Sequence, residues 1–242
     1  MRTVRICQYN ANLAENVELE LDEDGFGHLV RVLRFKENDP FVVFDGNGHE
    51  YEAVICSASK SKATYKCVKE IQRNVESPLY IELGQVISRG DKMEFTIQKA
   101  CELGISEITP LYSARCGVKL DEKRQSKKVE QWQKIAISAC EQSGRNVVPR
   151  VNDITNIDDW YAQNPDALSL TLDPRADKKL TELEIRQHLR LLIGPEGGLD
   201  TEEIAKAAEN SFVGVTLGPR ILRTETAALA ALCILGSKYG DL

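Results

Sequence analysis

Two rhythms of apolar residues divide the chain. In the first, short alternating or fully apolar runs are separated by turn residues. Val17 to Leu21 alternates apolar and polar side chains with period two, as a half-buried strand does. Pro40–Phe44 is an apolar run closed by Asp45-Gly46-Asn47-Gly48, a turn signal, and a second strand is expected over Tyr51–Cys56. Ala63–Ile71 reads as another strand. A single helix is expected around Gly27–Arg34, with Leu29, Val32 and Leu33 on one face. Several short strands and one helix predict a compact β-barrel over residues 1–73, with Phe44, Tyr51 and Tyr65 in its core. A polar stretch, Gln72 to Pro78, reads as a linker.

Beyond the linker, strands and helices alternate. Strands are expected at Tyr80–Ile87, Ile105–Leu111, Leu168–Leu172, Leu189–Ile193 and Val213–Leu217. Helices are expected from Asp91 to Leu103 with Gly104 as a stop, from Glu122 to about Ser143, from near Asp200, and from about Thr224 to Lys238. This predicts an α/β domain over 74–242 with a largely parallel sheet, whose ligands belong at the carboxyl ends of the strands.

Composition narrows the class. The 242 residues are 42% hydrophobic and 28% charged, ordinary globular values. The longest apolar stretch, Ala227 to Leu235, is too short to span a bilayer. Met1 to Ile6 has a charged start without an apolar segment behind it, so secretion is not expected. Seven scattered cysteines, none in Cys-x-x-Cys spacing, read as small buried hydrophobes in a reducing, cytoplasmic compartment, and no metal site is expected. The net charge of −6 hides a local excess: from Arg115 to Arg150 nine Lys/Arg stand against four acids. Such a concentration suits a specific polyanion, or simply a solvated helix face.

The chemistry concentrates in two strand-to-loop junctions. Leu191 to Asp200 carries an apolar strand into Gly194-Pro195-Glu196-Gly197-Gly198, with Asp200 and Glu203 in capping-box spacing. Val215 to Ala227 repeats the logic with Gly218-Pro219 and then Arg220 and Arg223 before a helix. Glycines let a backbone approach a ligand closely, and two arginines beside them suit an anionic or electron-rich partner. Neither loop matches a dinucleotide or phosphate-loop fingerprint. The residues alone therefore leave a cofactor or nucleotide pocket and plain tight turns both open.

Residues 192–203 and 215–232, supported by stretches at 28–34, 99–111, 115–120 and 132–151, resemble the bacterial 16S ribosomal RNA uridine-N3 methyltransferases of the SPOUT class. The resemblance covers essentially the whole chain. It implies an N-terminal PUA-like β-barrel, a C-terminal SPOUT domain with a trefoil knot, a homodimer that buries the C-terminal helix, and S-adenosyl-L-methionine as methyl donor without a metal. The cofactor would meet Leu172 and Asp173, then Ile193, Gly194, Pro195, Gly197 and Gly198, and then Leu217, Gly218, Ile221 and Leu222. By the same resemblance, Asp173 stands where many relatives carry histidine before the proline. The partner implied is 16S ribosomal RNA within the small subunit.

Uracil N3 loses its proton about two pKa units above neutrality, so its reactive anion costs roughly 3 kcal/mol at pH 7, at about 1.4 per unit. Arg223 is the first candidate to stabilise that anion, with Arg220 beside it to do the same or to hold a phosphate. Glu196 and Glu225 are candidate proton acceptors. Arg115, Lys119, Arg145 and Arg150 are expected near the substrate mouth, with Arg31, Arg34 and Lys36 extending the footprint; His49 and His188 offer no evident partner. Transfer RNA or a ribose oxygen as target, a non-catalytic RNA-binding assembly factor, and a nucleotide hydrolase remain as alternatives.

Overall fold

The computed structural model describes residues 3–164, 166–185 and 187–242, so Met1 and Arg2 of the charged start lie outside the described residues. The chain forms two compact units, one comprising residues up to Glu76 with Cys140–Val148, the other Ser77–Ala139 with Pro149–Leu242.

The first unit is a five-stranded sheet in the order β1-β3-β4-β5-β2, formed by Arg5–Cys7 (β1), Glu18–Glu20 (β2), Pro40–Phe44 (β3), Glu50–Ala58 (β4) and Ala63–Glu70 (β5). β1, absent from the sequence-based expectation, runs parallel to β3 from Arg5 opposite Val42 to Cys7 opposite Phe44. No ladder joins the edge strands β1 and β2 among the described residues. Side chains clasp them instead: Gln8, just after β1, accepts from the Asp22 backbone at 2.9 Å and donates to Asp22 Oδ1 at 3.0 Å. Asp22 also starts the helix by accepting from Gly25 N at 2.7 Å. That helix begins earlier than expected, as α1 (Glu23–Phe26), and widens into a π-turn over Gly27–Val32. The widening leaves Leu29 buried but Val32 and Leu33 facing outward. Phe41, Phe44, Tyr51 and Tyr65 are buried, Phe41 edge-on to Tyr65 at 5.7 Å.

The second unit is a parallel sheet in the order β12-β10-β11-β6-β7-β8, built from Tyr80–Val86 (β6), Glu107–Tyr112 (β7), Arg150–Val151 (β8), Leu168–Leu172 (β10), His188–Ile193 (β11) and Val213–Val215 (β12); Thr155–Asn156 (β9) also pairs with β7. All of its ladders are parallel. Parallel strands need crossovers, and helices supply most of them: α2 (Lys92–Glu102), α3 (Glu122–Ser143), α4 (Ile157–Tyr161) and α5 (Thr201–Glu209); α6 (Thr224–Tyr239) follows the last strand. α2 buries Met93, Thr96, Ile97, Ala100 and Cys101 at helical spacing and stops at Gly104, whose φ of +84° suits a residue without Cβ. α4, absent from the sequence-based expectation, sets Trp160 and Tyr161 against Leu192 and Phe212. Gly84 permits this, since a Cβ there would stand 2.6 Å from the Trp160 ring. α6 is apolar on most of its circumference, burying Ala228, Ala231, Leu232 and Leu235 while Cys233 stays exposed.

Candidate active site

β10, β11 and β12 end side by side, and their following loops meet at that carboxyl edge. The register sets Val215 opposite Leu172 and Ile193 opposite Gln85. Leu172, Ile193 and Val215 give an apolar floor to a cavity of about 580 Å³, within the range of small-molecule sites.

Each loop is shaped by local chemistry. After β10, Leu172 and Asp173 line the cavity. Asp173 is tied down twice, its N–H donating to Val215 O at 3.0 Å and its Oδ1 accepting from Arg175 N at 3.0 Å and Nε at 3.1 Å. After β11, every residue from Ile193 to Gly198 lines the cavity. Gly194 has no room for a side chain, because a Cβ would lie 3.0 Å from Leu199 Cγ and 3.1 Å from its backbone nitrogen. Gly198 takes φ +68° to close a turn onto Pro195 O at 2.9 Å. The expected capping box then starts α5: Asp200 Oδ1 accepts from Glu203 N at 2.8 Å and Glu203 Oε2 from Asp200 N at 2.9 Å. After β12, Leu217, Arg220, Ile221, Leu222 and Arg223 line the cavity, whereas Gly218 does not. Gly218, at φ +137°, forms the bend and donates to Thr216 Oγ1 at 3.3 Å.

Charge lies at the rim. Arg220 and Arg223 are exposed, and among the described residues neither makes an ion pair. Glu196 is engaged: its Oε1 accepts from Arg89 N at 3.1 Å and lies 3.4 Å from Lys92 Nζ. Partial burial would raise the Glu196 pKa, but backbone hydrogen bonds and Lys92 outweigh it and hold the carboxyl below its usual value. Arg115 lines the same cavity and donates to Gly197 O at 3.1 Å, bracing the glycine loop from outside.

Lys92 and Thr224 also line the cavity and were not singled out from sequence. Lys92 could have been found from its place in the first turn after a strand end; Thr224 reads only as a helix start until its partners are known. Glu225 lies outside the cavity lining, its Oε2 buried without a hydrogen-bond partner among the described residues. Three expectations are corrected. Arg145 does not face a substrate mouth; it is 6% exposed and its Nε and Nη2 donate to Glu76 at 2.8 and 2.6 Å. His49 and His188 do have partners, Asp45 at 2.7 Å and Glu82 at 2.6 Å.

Comparison with known proteins bears directly on this edge. A family model described as an RNA methyltransferase domain matches residues 75–236, and one described as an RNA methyltransferase PUA domain matches residues 21–66. Ribosomal RNA small subunit methyltransferase E of Buchnera aphidicola subsp. Acyrthosiphon pisum is 36% identical over 223 residues, covering 91% of this chain and 88% of the relative. The crystal structure of Ribosomal RNA small subunit methyltransferase E from Neisseria gonorrhoeae bound to S-adenosyl methionine superposes with a TM-score of 0.93 at 37% identity, covering 100% of both chains. A methyltransferase from Legionella pneumophila, in complex with the bound cofactor SAM, gives 0.96 at 38% identity, again over 100% of both. Matched along both units and across the three loops, the chain belongs to the ribosomal RNA small subunit methyltransferase E family.

Proposed function

We propose that this protein transfers the methyl group of S-adenosyl-L-methionine to N3 of one uridine in 16S ribosomal RNA, acting in the cytoplasm as a homodimer on the small ribosomal subunit. The observation that carries the reading is the meeting of three strand-end loops around one cavity, with two exposed arginines at its mouth that make no ion pair among the described residues. The cavity fits the cofactor: its floor of Leu172, Ile193 and Val215 is apolar enough for a flat base, and the glycine backbones of 194–198 lie open to a polar ribose. Leu172, Asp173, the 193–198 loop and Leu217 to Leu222 would hold it. The cofactor supplies an electrophilic methyl on a sulfonium sulfur.

The chain's own residues supply alignment and charge. Arg223 stabilises negative charge on the uracil oxygens as N3 loses its proton, and Arg220 holds the adjoining phosphate. Glu196 is a poor proton acceptor, since a carboxyl held low and committed to Lys92 has little affinity for a proton. Its part is to anchor the glycine loop to Arg89 and Lys92. The small domain over residues 1–73 contributes RNA binding, and the apolar outer face of α6 forms the contact between subunits.

The test is transfer of labelled methyl from S-adenosylmethionine to small subunits from a strain lacking the enzyme, with nuclease mapping of the product. Three-methyluridine at one site is expected; label only on transfer RNA would overturn the substrate. Glu196→Gln is expected to retain transfer within about tenfold at saturating donor, with the acid limb of its pH–rate profile unmoved. Loss of a titrating limb in that variant would make Glu196 the acceptor after all. Gly194→Ala forces Leu199 and the loop apart, an overpacking cost of about 1–3 kcal/mol, so donor affinity measured by calorimetry should fall about tenfold or more.

A further inference from the structure

Gln85 lies near the end of β6 and is fully buried, in a row whose neighbours, Ile193 and Pro110, are apolar. Its Nε2 donates to Val86 O at 3.0 Å and to Thr224 Oγ1 at 3.0 Å. A carbonyl can only accept, so Val86 fixes which end of the amide is the nitrogen. With both amide hydrogens used, the Thr224 hydroxyl is the acceptor from Gln85. Its own proton then goes to Gly194 O, 2.7 Å away. The relay therefore has one direction, from the amide of β6 through the first residue of α6 to the first residue of the glycine loop.

This arrangement carries a cost. Gln85 Oε1 is buried without a hydrogen-bond partner among the described residues, and a buried orphan acceptor is worth about 1–3 kcal/mol of destabilisation. An apolar side chain of similar size would avoid that cost in so apolar a row. The glutamine is thus poorly explained by packing and well explained by the relay. Arg223 is the residue before α6 and makes no side-chain cap bond to it. The helix start from which Arg223 projects is held to the glycine loop by Thr224.

We propose that Gln85 is a positioning residue for methyl transfer: by orienting the Thr224 hydroxyl it locks the Gly194 carbonyl and the first turn of α6 into one arrangement, so that the loop at the donor and the arginine at the base keep a fixed relation. The proposal rests on the methyl-transfer reading given above. Gln85 itself is not among the residues that line the cavity.

The full-length protein would be compared with Gln85→Met, Thr224→Val, Thr224→Ser and the Gln85→Met/Thr224→Val pair. Three quantities would be measured: S-adenosylmethionine affinity by calorimetry, the melting midpoint, and kcat and KM on small subunits. Gln85→Met should weaken donor affinity about tenfold and lower kcat by a similar factor, with KM for subunits unchanged and a melting midpoint no lower than wild type. Thr224→Val should do the same, and Thr224→Ser, which keeps the hydroxyl, should recover most of what valine loses. The double variant should lose little more than either single one, as members of one relay do. Gln85→Met with wild-type affinity and kcat, or single effects that multiply in the double variant, would overturn the positioning role while leaving methyl transfer standing. Should Gln85→Met lower the melting midpoint, the residue is a packing element and the proposal fails unless serine rescues Thr224→Val. Wild-type protein that binds no S-adenosylmethionine would overturn both readings together.

Discussion

Arg223→Ala should lower kcat for methyl transfer about 10²–10³-fold while S-adenosylmethionine affinity stays within a few fold. The magnitude follows from removing one preorganised donor at a site of developing negative charge, about 3–4 kcal/mol. Arg223 suits that part because it lines the cavity mouth, is exposed, and is neutralised by no carboxylate among the described residues. The engaged cations at the same rim, Lys92 beside Glu196 and Arg175 beside Asp173, have their charge partly satisfied already. Arg223→Lys keeps a point charge but loses the planar fork, so it should recover only part of the rate. Single-turnover transfer with saturating donor separates this from RNA binding. A loss confined to KM for the subunit would instead make Arg223 a phosphate contact, and the charge-stabilising part would pass to Arg220. The same measurement on Arg220→Ala should show the reverse division, a raised KM with kcat within about tenfold.

Two of the strand ends that build the cavity were legible in the sequence as apolar runs stopped by a turn, Asp173-Pro174 after β10 and Gly194-Pro195 after β11, and these strands start or stop within one residue of the expected ends; β12 stops at Val215, two residues short of the expected Leu217. The capping box at Asp200 and the stop at Gly104 are local chemistry and were readable for the same reason. What depends on distant partners was not. β1 is three residues long and exists through its pairing with β3. The helix near Gly27 follows its apolar stripe only until the π-turn shifts the register, which no 3.6-residue pattern announces. Gln85 reads as one polar residue in a strand, and Thr224 as a helix start; their link spans 139 positions. Arg145 misled for the opposite reason. Its charge looked available for RNA until Glu76, 69 positions away, proved to hold it. Cations that await a ligand and cations already matched look alike in a sequence.

The same distinction governs the second large effect, at the far end of β11. Glu82→Ala should destabilise the second unit by about 3–5 kcal/mol, the range for leaving a buried charge without its partner. Arg190, 1% exposed, is the charge concerned: its Nε lies 3.6 Å from Glu82 Oε2, and its guanidinium sits 4.0 Å from the centroid of the Trp160 ring. It also donates to the carbonyls of Trp160, of Tyr161 at 3.2 Å and of Gln163 at 2.6 Å. Arg190 thereby helps cap the carboxyl end of α4, beside the backbone bond from Gln163 N to Trp160 O at 3.2 Å. Burial pulls its pKa down and Glu82 offsets part of that, leaving it at about 10, so the cation persists at neutral pH at a desolvation cost that Glu82 reduces. Removing Glu82 also takes away both hydrogen bonds from the exposed Asn164 amide, which donates to its two oxygens at 2.7 and 2.8 Å. At roughly 2–4 °C per kcal/mol for a chain of this size, the melting midpoint should fall by about 10 °C. Arg190 points to the face of β11 opposite Ile193 and lies four residues from Gly194, roughly 13 Å along the strand. Donor affinity at low temperature should therefore stay within about twofold. A Glu82→Ala protein that melts with wild type would mean the Arg190 carbonyl contacts alone hold the cation; one that loses donor affinity while still folded would mean the two ends of β11 are coupled.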